Sequence, residues 1–163
     1  MCSEVCSEET DEMEATRQQR CERRIGYVFK NKELLREALT HASSAEHRLA
    51  SNERLEFLGD AILGAVVCEL LFLRYPDYLE GDLTKIKSAV VSRETCSRIS
   101  RELGLIDFLI VGKGMSVHRP VPNSVLSDMF ESLIAAIYLD GGIEPARVFL
   151  ERWVGPEIEK VIS

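Results

Sequence analysis

The sequence predicts an all-α fold. From Thr16 onward apolar residues recur at helical spacing almost without a break, and only Leu105–Val111 is apolar and β-branched enough to be a strand. Length sets the scale: 163 residues make one domain, able to bury about 70% of its unfolded surface without disulfide or metal staples. No internal repeat or low-complexity stretch divides the chain.

Residues 1–15 hold six acids (Glu4, Glu8, Glu9, Asp11, Glu12, Glu14) and no Lys or Arg, and read as a disordered acidic leader before a folded body at 16–163. Arg17–Tyr27 has the pattern of a charged amphipathic helix that turns Ile25 and Val28 toward a core. Lys32–Thr40 follows, with Leu34, Leu35, Ala38 and Leu39 on one stripe. After a polar connector, Asn52 is expected to cap a helix from Glu53 to about Arg74, stopped by Tyr75-Pro76-Asp77. Glu80-Gly81-Asp82 opens a helix that buries Leu83, Ile86 and Val90 and ends near Val91. Ser92 suits the cap of Arg93–Leu103, and Gly104 its close. Gly112–Pro122 is a loop; Asn123 or Ser124 then caps a helix to Leu139, which stops at Asp140-Gly141-Gly142. A last helix starts near Pro145 and reaches about Trp153, and Gly155-Pro156 separates it from a short tail helix.

The formal charge of −7 (20 Lys and Arg against 27 Asp and Glu) argues at first against a nucleic-acid partner. Outside the leader, however, 148 residues hold 20 bases and 21 acids, so the folded body is close to neutral. Five scattered cysteines (Cys2, Cys6, Cys21, Cys68, Cys96) without a CxxC pair fit free thiols in a reducing compartment better than a disulfide framework or zinc site. The acidic N-terminus matches neither a secretory signal nor a transit peptide. The longest apolar stretch, Leu55–Leu73, contains Glu56, Asp60 and Glu69, which excludes a membrane span. A cytoplasmic protein with no membrane partner is expected.

Two helices stand out. Leu55–Leu73 and Val125–Leu139 are apolar nearly all round, the mark of helices buried mid-domain. Yet the first carries Glu56 and Asp60 at i, i+4 and the second Asp128 and Glu131 at i, i+3, each pair on one face with members roughly 5–6 Å apart. Neither segment contains Lys, Arg or His, so any compensating positive charge comes from elsewhere. Three accounts compete: solvent or an Arg from another element; protonated carboxyls hydrogen-bonded to each other; or a divalent cation. Carboxylates without nitrogen or sulfur ligands suit Mg²⁺ or Mn²⁺ rather than zinc, and the Glu-x-x-His signature of a di-iron bundle is absent. An all-carboxylate magnesium site is suited to phosphodiester hydrolysis.

The stretch Asn52-Glu-Arg-Leu-Glu-Phe-Leu-Gly-Asp60, continued by Ala-Ile-Leu-Gly64, resembles the signature motif of the ribonuclease III family. Leu39-Thr-His-Ala-Ser43, Glu80-Gly81-Asp82-Leu83 and Ser124-Val-Leu-Ser-Asp128-Met-Phe-Glu131 through Asp140 resemble further family segments in the same order, so that the likeness covers about residues 17–160. It is to the catalytic domain without the C-terminal double-stranded-RNA-binding domain of many bacterial members. The resemblance implies a helical bundle around a central buried signature helix, and a double-stranded-RNA endonuclease leaving 5′-phosphate and 3′-hydroxyl ends with a short 3′ overhang. The implied role is the processing of structured RNA such as ribosomal precursors. By position, Glu56, Asp60, Asp128 and Glu131 match the metal-binding catalytic acids, with Mg²⁺ as cofactor, Mn²⁺ as its substitute and no organic cofactor. Glu53 and Glu80 match secondary acids of the catalytic valley, and Phe57 matches the aromatic that plugs the partner in the family's homodimer. His41 is expected to be a buried, hydrogen-bonded structural residue. Ser132, Ala135 and Asn123 depart from the family pattern.

Duplex RNA is recognised mainly through its shape and its phosphates, with affinity that falls as salt rises. Candidate contacts are Lys85, Lys87, Arg93, Lys113, His118 and Arg119. A non-catalytic RNA-binding or scaffolding subunit of the same fold is the alternative; its mark would be loss of one of the four acids, and all four are present. A phosphohydrolase of small substrates is disfavoured, because no Gly-rich phosphate loop or His-Asp metal pair occurs.

Overall fold

The computed structural model describes residues 2–44, 48–112 and 120–163, leaving aside the side chains of residues 2–11, 14 and 15. Eight α-helices follow one another among these residues: α1 (Cys2–Ile25), α2 (Lys32–Leu39), α3 (Glu53–Arg74), α4 (Glu80–Val90), α5 (Arg93–Glu102), α6 (Asn123–Gly141), α7 (Ile143–Trp153) and α8 (Gly155–Ile162). The all-α expectation holds.

Local chemistry sets most helix ends. The Asn31 side chain accepts from the Glu33 amide at 3.1 Å to start α2, and the Ser92 hydroxyl accepts from the Thr95 amide at 3.2 Å to start α5. Gly104 adopts φ 67° just past α5, a left-handed turn that favours glycine.

The most enclosed element is α6. Met129, Phe130, Leu133, Ile134, Ala136 and Ile137 are all buried, and α2, α3, α5 and α7 pack around it. Its C-terminal end is pinned by Asp140, whose carboxylate accepts from the Tyr27 hydroxyl at 2.7 Å and from the Lys30 and Asn31 amides at 2.9 and 2.8 Å. The buried Glu22 closes the turn after α1, accepting from the Phe29 amide at 2.6 Å and from Lys32 Nζ at 2.8 Å. Buried Glu157 ties α8 to α5 through Arg98.

Several expectations change. Residues 2–15, expected as a leader, fall within α1 (Cys2–Ile25), where Glu, Met and Ala are good helix formers and acids favour a helix N-terminus. Leu105–Val111 is no strand: Leu105–Phe108 form a 3₁₀ turn, and a single bridge joins Thr40 to Ile110. Without a longer partner strand to pair with, β-branched residues there have no sheet to join. Val28 is 72% exposed, and Phe29 takes the core place instead. The signature helix α3 is not enclosed on every side: Phe57, Ala61, Cys68 and Phe72 lie exposed along one face. Asn52 does not cap α3 with its side chain, which turns inward toward the Ala38 carbonyl at 3.4 Å. Helix α6 begins at Asn123 after Pro122 and runs to Gly141, and α7 begins at Ile143.

Cys21 and Cys96 are buried free thiols and Cys68 an exposed one. Among the described residues no helix is long and apolar enough to cross a membrane.

Candidate active site

Helices α3 and α6 cross in close contact, and glycine makes this possible. A Cβ built on Gly59 would lie 1.7 Å from the carbonyl oxygen of Glu131, so the two backbones touch where only hydrogen fits. Gly59 stands between Glu56 and Asp60 in sequence, and the contact therefore brings the acids of α3 beside those of α6. The start of α3 is held from behind: Asn52 Nδ2 and Ser132 Oγ both donate to the Ala38 carbonyl, at 3.4 and 2.8 Å, at the end of α2. Ser132, one of the departures from the family pattern, thus locks α6 to α2, while Glu131 beside it lines the cleft. Asn123 accepts from Arg101 of α5, and Ala135 packs fully buried in the core.

The result is a cleft of about 410 Å³ lined by Glu53, Glu56, Phe57, Asp60, Val91, Arg93, Ser127, Asp128 and Glu131. All four acids singled out from the sequence face it. Their electrostatics are those of crowded carboxylates. Burial, followed by the charges of Asp60, Glu56 and Asp128, pushes the Glu131 carboxyl up to about 8. Burial and the neighbouring Asp128 push Glu56 up to about 7. Asp128 is likewise raised by burial, and it shares a hydrogen bond with Glu56. Arg93 pulls the other way on all three, yet one guanidinium leaves them raised.

Glu53 lies at the rim and is engaged: Arg48 Nε and Nη2 donate to it at 3.1 and 2.9 Å, and that bidentate pair holds its carboxyl below the usual range. Glu80 is elsewhere, exposed in the first turn of α4 and accepting from Thr84 Oγ1 at 2.7 Å. His41 is half-buried, with Nδ1 accepting from the Ser43 amide at 3.2 Å. Phe57, read without the resemblance, looks like a core residue; it is 83% exposed at the cleft's edge. Lys85 and Lys87 lie on α4 outside the cleft lining, and Lys113, His118 and Arg119 lie outside the described residues.

Sequence reasoning missed Gly59, Arg48 and Cys96. A glycine inside a helix costs about 1 kcal/mol relative to alanine, so its presence at position 59, directly before Asp60, is itself a packing signal. The Cys96 thiol sits behind the acids, where burial and the charges of Glu131 and Asp60 push it up to about 12. It keeps its proton at neutral pH.

Among the described residues no three His, Cys, Asp or Glu side chains already stand as a metal-holding group. The donor set nevertheless fits a hard dication: four carboxylates, crowded enough that two hold protons near neutrality, with no nitrogen or sulfur competitor. Closing around an ion requires side-chain rotation and release of those protons.

Residues 31–158 match the ribonuclease-III-like family model. The chain belongs to the ribonuclease III family. Ribonuclease 3 of Rhodopirellula baltica is 56% identical over 145 residues, covering 89% of this chain and 54% of that protein. Ribonuclease 3 of Symbiobacterium thermophilum is 46% identical over 141 residues, covering 85% of this chain and 60% of that protein. The chain thus spans little more than half the length of these curated relatives. Among solved structures, the nuclease domain of ribonuclease III from Campylobacter jejuni superposes with a TM-score of 0.76 at 39% identity, covering 84% of this chain and 95% of that one; it is described with a flexible region involved in dimer formation. A Dicer from Pichia stipitis matches with a TM-score of 0.62 at 27% identity over 82% of this chain and 58% of that one. The segment shared with these ribonuclease III relatives is the nuclease domain of the family.

Proposed function

We propose that this domain is a divalent-metal-dependent endoribonuclease acting on double-stranded RNA as a homodimer. The observation that carries the proposal is the convergence of Glu56 and Asp60 from α3 with Asp128 and Glu131 from α6 on one cleft. Mg²⁺ or Mn²⁺ bound there would polarise the phosphodiester and activate a water at neutral pH. The protein's part is to supply the hard oxygen donors and to hold them together through the Gly59 contact. Glu56 and Glu131 would hold the ion once their carboxyls are ionised, while Arg48 keeps Glu53 at the rim. The products are 5′-phosphate and 3′-hydroxyl ends with a short 3′ overhang, each subunit cutting one strand, in the cytoplasmic processing of structured RNA such as ribosomal precursors.

The test is incubation of the chain with a labelled RNA duplex with and without Mg²⁺, followed by end-group analysis. Cleavage is expected only with the metal, and it is expected to weaken steeply toward about 0.2 M salt, since affinity rests on phosphate neutralisation. Glu131→Gln and Asp60→Asn are each expected to abolish cleavage while circular dichroism stays that of a folded helical protein. Full activity in both variants would remove these acids from the mechanism.

A further inference from the structure

Arg93 sits where helix energetics disfavour it. It is the first residue of α5, directly after the Ser92 cap, and a cation there meets the positive end of the helix dipole. It nonetheless lines the acid cleft, where its charge is felt by Glu56, Asp128 and Glu131. Arg48 and Arg98 are committed to ion pairs with Glu53 and Glu157. Arg93 is exposed, and the acids it faces are the proposed metal ligands. With those carboxylates engaged by a cation, its guanidinium is left to meet an incoming anion. A planar fork of five N–H donors matches the oxygens of a phosphate. The lysines of α4 are placed differently: Lys85 lies toward Ile162 of α8, and the Lys87 stem runs along α3 at Gly64.

We propose that Arg93 orients the RNA strand for cleavage by gripping a non-bridging oxygen of a phosphodiester at the edge of the carboxylate cleft. This rests on the duplex-RNA reading above and assigns one residue of this chain a role distinct from general phosphate attraction. Arg93 is a positioning residue: it fixes where the phosphate sits relative to the acids.

The test compares Arg93→Gln and Arg93→Lys in two measurements. The first is the salt dependence of duplex-RNA binding by protein inactivated with Glu131→Gln. Arg93→Gln is expected to reduce the slope of log affinity against log salt by about one, and Arg93→Lys to restore it, because that slope counts neutralised phosphates. The second is kcat at saturating duplex in the otherwise unaltered chain. Both variants are expected to lose about tenfold or more, because an ammonium keeps the charge but not the fork. Thermal unfolding of Arg93→Gln is expected at or above the wild-type temperature, since an exposed cation leaves a helix N-terminus. Arg93→Lys with full kcat would reduce the residue to a bulk charge and overturn the orienting role. So would Arg93→Gln with unchanged slope and unchanged kcat in a protein whose wild type cuts duplex RNA. A wild type that cuts no duplex overturns the underlying activity instead, and that result is read on the unaltered chain.

Discussion

Glu131 holds its proton up to about pH 8, and Glu56 up to about 7, because both are partly buried among other carboxylates. Ordinary glutamates in an unfolded chain lose theirs near 4.5. Between these limits the folded protein binds more protons than the unfolded one, so the cluster's contribution to stability falls as pH rises from about 5 through about 8. A divalent ion relieves the repulsion this exposes. At one fixed Mg²⁺ concentration, a hundredfold above its dissociation constant at pH 8.5, Mg²⁺ is therefore expected to raise the melting temperature by about 5–10 °C at pH 8.5 and by less at pH 6. Differential scanning calorimetry at the two pH values measures this; an equal shift at both would mean that the carboxyl protons do not compete with the ion. Cys96, held protonated behind the acids, is expected to resist alkylation in the folded state.

At the scale of elements, the site depends on how closely α3 approaches α6. A methyl at Gly59 would overlap the Glu131 backbone, which is no flexible side chain and cannot swing aside. Gly59→Ala is therefore expected to force the helices apart, costing about 1–3 kcal/mol of stability as an overpacked contact and more in activity, because the two acid pairs separate with the helices. Urea unfolding and duplex cleavage on the same preparation measure the two effects; a variant that keeps both would show that the acids do not need this contact. Ser132→Ala leaves the Ala38 carbonyl with only the 3.4 Å contact from Asn52, and is expected to cost about 1 kcal/mol by the same unfolding assay.

The whole molecule leaves an apolar face open along α3, with Phe57 83% and Phe72 70% exposed and Ala61 and Cys68 between them. Such a stripe on a helix is what a partner covers. In the homodimer proposed here, Phe57→Ala is expected to shift sedimentation toward monomer and to lower cleavage, while monomer stability changes little because the ring touches solvent rather than core. A variant that stays dimeric at the same concentration would remove Phe57 from the interface.

Much of this was legible in the sequence, for reasons that are local. Helical periodicity, the Ser92 cap and the left-handed Gly104 depend on neighbours a few residues away, and so do the i, i+4 and i, i+3 spacings that put each acid pair on one face. The signature around Glu56 and Asp60 also carried the family. The strand expected at Leu105–Val111 failed because strands need partners that a local pattern does not reveal. The burial of α3 on all sides failed because apolar composition does not say whether a neighbouring helix or a second subunit covers a face. Four acids in the right kinds of helix are a matter of sequence. That Gly59 lets those helices touch, that Arg48 claims Glu53, and that Arg93 leans over the cleft follow only from tertiary packing, since each joins groups whose distance is set by the path of the whole chain.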